Sequence, residues 1–287
     1  MEVAEAAPLG ARVEKAKRSA ADIEHHYRVE IELAERLRSA PPSERLGLYG
    51  EVYDELYRRV PNHPQLTRKV SEAERRAGVA DRVSLLRRFI DPETVFLEVG
   101  AGDGSLTLEV ARHARKCYAL DVSKEILSGL HAPRVQTVLS DGCSVPVPTN
   151  TVTLAYSFQV MEHIHPDDAL AQLRNLFAVI APDGSYVCVT PNRLSGPHDV
   201  SKFYDRVARG FHLKEYTAAE LVALFRKVGF RKVEAYPRFR GRYVRMPLGI
   251  ILAFEWLFGL LPFAIRRRIG LKPFFGNMLA VSLRATK

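Results

Sequence analysis

The sequence predicts an α/β protein with a doubly wound, seven-stranded sheet and helices on both of its faces. The main observation is that short apolar runs alternate with helical patterns from Thr94 to about Thr190. A second is a glycine-rich turn directly after the first of these runs. The third is size, because 287 residues with 47% hydrophobic and 26% charged content can bury a sizeable core. The predicted segments are a helical extension, a core, a hydrophobic insertion and a last core strand, over 1–80, 81–240, 241–277 and 278–287.

The helical extension over residues 1–80 shows two amphipathic patterns. The first runs from Ile23 to Leu37 and is broken by Pro41-Pro42. The second begins after Ser43, a predicted N-cap, and places apolar residues on one face at helical spacing. That face comprises Tyr49, Val52, Tyr53, Leu56, Tyr57 and Val60. A further short helix is predicted from Val79 to Ile90, leading into the first strand.

The first strand, Val95–Leu97, is closed by Glu98 and followed by a turn with three glycines at alternate positions: Gly100, Gly102 and Gly104. Glycine permits a tight turn and lets a ligand approach the bare backbone. The helix predicted from Ser105 to Arg115 directs its free N–H groups at this turn, which favours an anionic group. These features predict a nucleotide-type pocket, but Ser105 occupies the third glycine position of the dinucleotide pattern G-x-G-x-x-G.

Polar residues follow the later strands at their carboxyl ends. Those strands are predicted over Lys116–Leu120, Val135–Leu139, Val152–Ser157, Ser185–Thr190, Lys232–Tyr236 and Met278–Ala285. Asp121, Asp141-Gly142 and Gln159 follow the second, third and fourth of the seven strands. Ligands of doubly wound sheets bind outside the carboxyl ends of the strands. A single acid there is more often a helix N-cap, but this set at successive strand ends predicts a binding site.

With these residues in view, the spacing E-x-G-x-G-x-G resembles motif I of the class I S-adenosylmethionine (SAM) dependent methyltransferases. Asp121, Asp141-Gly142 and Val160–His163 are similar to motifs II to IV, and the resemblance spans roughly 81–236. The nearest subgroup is the type 11 and ubiquinone-biosynthesis-like enzymes. The resemblance implies a Rossmann-like fold, a seventh strand antiparallel to the fifth, and SAM as cofactor. Thr153 departs from the family, which usually has aspartate at the start of strand four.

The resemblance also implies roles for the motif residues in binding the cofactor. Asp121 would accept hydrogen bonds from both ribose hydroxyls, a task that suits an acceptor-only carboxylate. Asp141, next to Gly142, would contact the adenine amino group. The other motif residues would surround the methionine portion, with Gly100 and Gly102 beneath it, Glu98 at its ammonium and Gln159 near the sulfonium.

Two loops, Thr190–Asp199 and Phe211–Tyr216, are expected to cover the active face and bind the acceptor. Methyl transfer needs in-line alignment, and an oxygen acceptor must also lose a proton, for which histidine is the usual base. His198 and His212, with Asp199, are the candidates, although each is equally typical of a hydrogen bond that braces a loop.

No metal site is predicted from the sequence. His163 is expected to contact a helix start, and His163 with His165 lack a third ligand at suitable spacing. Cys117, Cys143 and Cys188 show no ligand spacing either and are expected to be buried, reduced thiols.

Most of the net charge of +9 lies in one C-terminal stretch, since the range 231–272 holds ten Lys or Arg and two Glu. Within it, Met246–Ile265 is nearly all apolar and long enough for a transmembrane helix. Glu255, several helix breakers and the return of strand seven to the sheet argue against a single crossing. An interfacial element or helical hairpin at an anionic membrane surface is predicted, and a lid or a dimer contact fits equally well.

We therefore expect a SAM-dependent methyltransferase that modifies a small-molecule or lipid-linked acceptor at oxygen. A catalytically silent SAM-fold module that binds a membrane or partner is the alternative of another class. An RNA methyltransferase is the third reading, but the basic stretch is not interleaved with stacking aromatics, so nucleic acid is not an expected partner. The sparse cysteines and the absence of a secretory pattern at Met1–Glu5 predict a cytoplasmic protein, with peripheral membrane association left open.

Overall fold

The computed structural model of the chain describes residues 18–67 and 71–287, so the interpretation of Met1–Glu5 lies outside the described residues. A seven-stranded sheet of order β3-β2-β1-β4-β5-β9-β6 forms its centre. The strands are β1 Val95–Val99, β2 Lys116–Asp121, β3 Val135–Leu139, β4 Val152–Phe158, β5 Ile180–Thr190, β6 Lys232–Ala235, β7 Arg238–Phe239, β8 Arg242–Tyr243 and β9 Val281–Thr286. β7 and β8 form a separate hairpin. The predicted α/β class and seven-stranded sheet are confirmed.

The pairing of the strands places a crevice at one edge of the sheet. β1 pairs in parallel with both β2 and β4, so the strand order reverses direction between β1 and β4. β9 runs antiparallel to both β5 and β6, as the resemblance implied. In doubly wound sheets, ligands bind outside the carboxyl ends of the strands at such a reversal. The ends of β1 and β4 are therefore where a cofactor site is expected.

Helices cover the sheet and extend beyond it. They are α1 Ala20–Ser39, α2 Pro42–Arg59, α3 Pro64–Thr67, α4 Glu72–Leu86, α5 Ser105–Val110, α6 Lys124–Ser128, α7 Pro166–Val179, α8 Ala218–Val228, α9 Leu248–Gly259, α10 Phe263–Gly270 and α11 Pro273–Leu279. The spacing of Thr217 and Glu220 in the sequence predicts a capping box, and this box begins α8. Gly229 ends the helix with a φ of +121°.

Three helix boundaries differ from the prediction. Ser43 is not an N-cap, because Pro42 occupies the first helical position, where its missing N–H is not needed. α4 begins well before Val79, because Ser71 and Glu74 form a capping box there. α5 ends at Val110 instead of Arg115, because the chain turns there and enters β2 at Lys116.

α1 and α2 form a cap that is fixed to the core by a buried ion pair. Arg45 of α2 donates two hydrogen bonds, of 2.6 and 2.9 Å, to the carboxylate of Asp168 on α7. The Tyr49 hydroxyl donates to the same carboxylate at 2.7 Å and accepts from the His165 N–H at 2.9 Å. The predicted apolar face of α2 packs into the main core through Tyr49, Val52, Leu56 and Val60. These contacts hold α2 next to the carboxyl ends of the strands.

The insertion folds as short helices, α9 to α11, that are anchored by Glu255. This buried carboxylate accepts hydrogen bonds from the N–H groups of Ala218 and Ala219, which begin α8, and from the side chain of Asn192. Glu255 was expected only to oppose membrane insertion, whereas here it satisfies free N–H groups at a helix start. Within the described ranges, no helix has the length and apolarity that a membrane crossing requires.

Candidate functional site

The glycine turn after β1 leaves an open backbone surface at the end of the sheet. Gly100, Gly102 and Gly104 have φ angles of +72°, +52° and +67°, a region that L-residues with side chains seldom adopt. An added Cβ would lie 2.6 Å from Val160 at Gly100 and 2.6 Å from Leu130 at Gly104, but at Gly102 it would meet nothing within 4 Å. Gly102 is therefore the glycine of this turn whose backbone faces open space that a ligand can fill.

Asp121 lies beside this turn, as expected for the end of the neighbouring strand. Its Oδ2 accepts a 3.0 Å hydrogen bond from the Gly102 N–H, and its Oδ1 accepts one of 3.0 Å from the Ser123 N–H. Each carboxylate oxygen can accept more than one hydrogen bond. Asp121 thus orders the glycine turn and retains acceptor capacity toward the crevice.

Asp141 and Gly142 form a tight turn after β3. Asp141 Oδ1 accepts from the N–H groups of Cys143 and Ser144 at 2.9 and 2.7 Å, and hydrogen bonding outweighs partial burial to lower the pKa of this carboxyl. Gly142 has a φ of +100°, and a Cβ there would lie 2.8 Å from the ring of Tyr49. The cap helix α2 therefore closes over this end of the crevice, a contact that the sequence analysis assigned only to the core.

Gln159 and Glu98 occupy different environments at the ends of β4 and β1. Gln159 is exposed and has a φ of +56°, a conformation that costs energy in a residue with a side chain and often occurs at functional sites. Glu98 is buried within β1, where Thr107 donates to its Oε2 at 2.5 Å and Arg82 lies 3.8 Å from its Oε1. Burial raises the pKa of Glu98 to about 7. The strand continues to Val99, so Glu98 does not close it.

The two candidate histidines are linked through Glu215. Its Oε1 accepts from the His198 backbone N–H at 2.6 Å and lies 2.7 Å from His212 Nδ1. The ring of His198 is solvent-exposed, and its Nε2 lies 3.1 Å from the Asn192 carbonyl of the same loop. His212 is buried. Burial lowers the pKa of His212, but its hydrogen bond to Glu215 and nearby carboxylates outweigh this and raise the pKa above its usual value.

His212 belongs to a cluster with Glu162 and His163, which follow β4. The ligand-capable atoms of these three residues all lie within 4.8 Å of one another. Burial lowers the pKa of His163 to about 3 and raises that of Glu162 to about 7. His163 contacts Tyr53 of α2 and does not begin a helix, because the N-cap of α7 is His165, which accepts from the Asp167 N–H. In the sequence, Glu162 belongs to a motif but has no predicted role, since only the fold brings His212 beside it.

A surface groove also lies at the other edge of the sheet. It has a volume of about 460 Å³ and is lined by the first residues of β1, β2 and β3 together with Arg115, Arg134 and Gln136. The motif residues lie at the opposite ends of these strands. The crevice over the glycine turn is therefore the candidate site.

Comparisons with known proteins agree with this geometry. Residues 71–235 match the family described as the methyltransferase domain. A probable SAM-dependent methyltransferase of Mycolicibacterium smegmatis is 31% identical over 147 residues, which cover 50% of this chain and 55% of that protein. A similarly named protein of Mycobacterium tuberculosis is 29% identical over 151 residues, covering 52% and 53%. The chain thus spans about half the length of these curated relatives.

Among solved structures, the fold is similar to that of Haemonchus contortus phosphoethanolamine N-methyltransferase 1 in complex with phosphoethanolamine and S-adenosylhomocysteine. The TM-score is 0.54 at 14% sequence identity, and the match covers 86% of this chain and 50% of that chain. At this identity the likeness concerns the fold.

Proposed function

The chain belongs to the methyltransferase domain family of the class I SAM-dependent enzymes, and from this premise we propose that it transfers the methyl group of SAM to an oxygen atom of a small or lipid-linked acceptor. The observation that carries the proposal is the crevice at the strand ends. Gly102, Asp121, Asp141 and Gln159 border it from four neighbouring strand ends. This arrangement offers bare backbone to the methionine portion and carboxylate acceptors to the hydroxyl and amino donors of the adenosine.

Binding of S-adenosylhomocysteine tests the cofactor assignment. We expect calorimetry to detect binding, and we expect Asp121→Ala to weaken it by roughly 1.5–3 kcal/mol, the value of hydrogen bonds to a charged group. Asp183→Ala is a matched control, because Asp183 is an exposed residue near the start of β5 that pairs with Arg231 at 3.4 Å, away from the crevice. Equal affinity of the Asp121 variant and the wild type would refute the ribose assignment.

The acceptor proton is the second element of the proposal. His212 is the better placed of the two candidate bases, because Glu215 orients its ring and it lies beside the segment that follows β4. The ring of His198 is engaged with its own loop. We expect His212→Ala to lower turnover roughly 100-fold or more, and His198→Ala to lower it less, with S-adenosylhomocysteine affinity retained in both. Unchanged turnover in both variants would leave alignment as the sole source of catalysis.

The exposed face of the insertion supports a membrane-bound acceptor. Ile251, Glu255 and Phe258 of α9 are buried, whereas Ile250, Trp256 and Leu257 of the same helix are exposed, Trp256 to 66%. Leu260, Leu271 and Phe274 continue the exposed apolar surface along the following residues. An exposed apolar surface of this kind can insert at the boundary of headgroups and acyl chains, assisted by basic residues.

Vesicle co-sedimentation tests this location. Arg268 and Lys272 are exposed, whereas Arg238 and Arg245 pair with Asp81 and Glu234. We expect binding to anionic vesicles that weakens at high salt and with Arg268→Glu/Lys272→Glu, since each charge near the surface contributes about 1 kcal/mol. Arg226→Glu/Lys227→Glu on the exposed surface of α8 is the control of equal charge change. If both double variants bind as the wild type does, the insertion is not a membrane element.

A further inference from the structure

The cluster of Glu162, His163 and His212 has the composition of a metal site. Among the described residues, these side chains bring one carboxylate and two imidazoles within 4.8 Å of one another. Glu162 and His163 come three and four residues after Gln159, and His212 reaches them from the loop before α8. Two histidines with one glutamate form a ligand set of catalytic zinc sites, which keep a coordination position open for water or substrate.

Glu162 supplies the strongest evidence within the cluster. Its side chain has no solvent exposure. Oε2 accepts a 2.8 Å hydrogen bond from the Thr190 hydroxyl, whereas Oε1 is buried and has no hydrogen-bond partner in the described part of the chain. A buried carboxylate oxygen without a partner costs free energy and needs an explanation, such as a bound ion.

The hydrogen bonds of the two histidines leave one nitrogen of each ring for a ligand. His163 Nδ1 lies 2.9 Å from the Tyr53 hydroxyl and 3.1 Å from the carbonyl of Phe211, and His212 Nδ1 lies 2.7 Å from the carboxylate of Glu215. A carbonyl and a carboxylate can only accept, so a hydrogen bond to either requires the proton on Nδ1, and the Tyr53 hydroxyl then takes the acceptor role beside His163. With this assignment, Nε2 of each ring has the lone pair. Histidines that bind metals are oriented by hydrogen bonds of this kind, from the other ring nitrogen to a backbone carbonyl or a carboxylate.

A second cluster of similar composition, His26, Glu30 and His63, lacks these properties. Glu30 Oε1 accepts from the Phe211 N–H at 2.9 Å, and Oε2 lies 2.7 Å from His26 Nε2 without hydrogen-bond alignment. The guanidinium of Arg18 lies 3.0 Å from His26 Nδ1. A metal ion there would have to displace the Arg18 contact and face its positive charge, so this cluster is the weaker candidate.

We propose that Glu162, His163 and His212 bind a divalent first-row metal ion such as Zn²⁺ beside the methyl-transfer site. Zn²⁺ bonds of about 2.0–2.2 Å place tetrahedral ligand atoms about 3.4 Å apart, so binding would draw the three side chains closer together.

The catalytic consequence rests on the proposed function, whereas metal binding itself does not. With the metal bound, His212 would serve as a ligand in place of its role as general base. A hydroxyl of the acceptor would occupy the open position, and the metal would lower the pKa of this hydroxyl so that its proton passes to solvent water. The oxygen lone pair would then form the bond to the methyl carbon as the carbon–sulfur bond breaks. The electron pair of the broken carbon–sulfur bond returns to sulfur, giving S-adenosylhomocysteine.

The test is a calorimetric titration of the chelator-treated full chain with ZnCl₂. We expect one equivalent to bind, and we expect Glu162→Gln and His212→Gln each to weaken binding by at least roughly 100-fold. His26→Gln is the matched control from the other cluster and should bind as the wild type does. No binding to the wild type, full binding to Glu162→Gln, or an equal loss in His26→Gln would each overturn the proposal.

Two further measurements keep the result decisive. If circular dichroism shows that Glu162→Gln or His212→Gln is unfolded, Glu215→Gln replaces it, with an expected 10- to 100-fold weaker binding of Zn²⁺ because it removes the partner that orients His212. Unchanged Zn²⁺ affinity in folded Glu215→Gln would contradict the assigned geometry. S-adenosylhomocysteine is titrated into every variant, since loss of Zn²⁺ binding with retained S-adenosylhomocysteine binding concerns the metal site and not the cofactor site.

Discussion

Substituting Gly102 by alanine distinguishes a glycine required by a ligand from one required by the backbone. The φ of Gly102 is +52°, and an added Cβ would meet no protein atom within 4 Å. The folded chain should therefore lose only the cost of a left-handed alanine, about 1–2 kcal/mol. If SAM lies on this backbone, the same methyl group would overlap the ligand, and overpacking of this kind costs roughly 1–3 kcal/mol. That cost corresponds to about a 5- to 150-fold weaker affinity.

Gly241 provides the matched control for this experiment. It lies in the turn between β7 and β8, has a φ of +79°, and an added Cβ there would also meet nothing within 4 Å. Urea unfolding should show a similar loss of stability in Gly102→Ala and Gly241→Ala. Calorimetry should show weaker S-adenosylhomocysteine binding in Gly102→Ala alone. Equal affinities in the two variants would refute the position assigned to the cofactor.

Three further predictions concern buried carboxylates in the ligand-free chain. Burial raises the pKa of Glu98 from 4.5 to about 7, so the stability that this residue contributes is present below pH 4.5 and is lost as the pH rises through 7. In urea melts, the free energy of unfolding of Glu98→Gln should therefore rise relative to that of the wild type by roughly 3 kcal/mol between pH 4 and pH 8. Parallel pH profiles of the two proteins would contradict this prediction. Asp168→Ala should lower the free energy of unfolding by roughly 3–5 kcal/mol, because it leaves the Arg45 guanidinium buried and unpaired. Arg45→Met/Asp168→Leu should recover most of that loss, and an equally unstable double variant would count against the explanation. Glu255→Ala should lower the free energy of unfolding by roughly 1–3 kcal/mol, since it leaves the N–H groups that begin α8 without their acceptor. The same variant should be cleaved faster by proteases within 246–272. An unchanged cleavage rate would show that Glu255 does not anchor the insertion.

Local rules were sufficient wherever a few neighbouring residues decide the conformation. The capping box of Thr217 and Glu220 begins α8 as predicted, because both of its hydrogen bonds lie within one turn. The prediction failed at Ser43, where two competing local signals occur and Pro42 at the first helical position prevailed. The seven-stranded sheet was also predictable, since buried parallel strands appear as apolar runs between helical patterns.

The edge of the sheet that carries the site followed from the sequence as well. Parallel strands bring their carboxyl ends to one edge, so Asp121 and the glycine turn had to meet, and the 3.0 Å bond between Asp121 and Gly102 is the result. The order of the motifs was therefore enough to place Asp121 beside the glycine turn.

Contacts between distant segments were decided only by the tertiary structure. Glu255 appeared as a charge within an apolar run, yet in the fold it accepts hydrogen bonds at the start of α8. The sequence likewise offered no third ligand for His163, because His212 lies on a separate loop and Glu215 directs its ring. Hydrophobic periodicity and motif spacing describe neighbours along one element, whereas the position of a loop side chain depends on every element that packs beneath it. The pairing of a buried carboxylate with two imidazoles could therefore emerge only after the loops had been placed on the sheet.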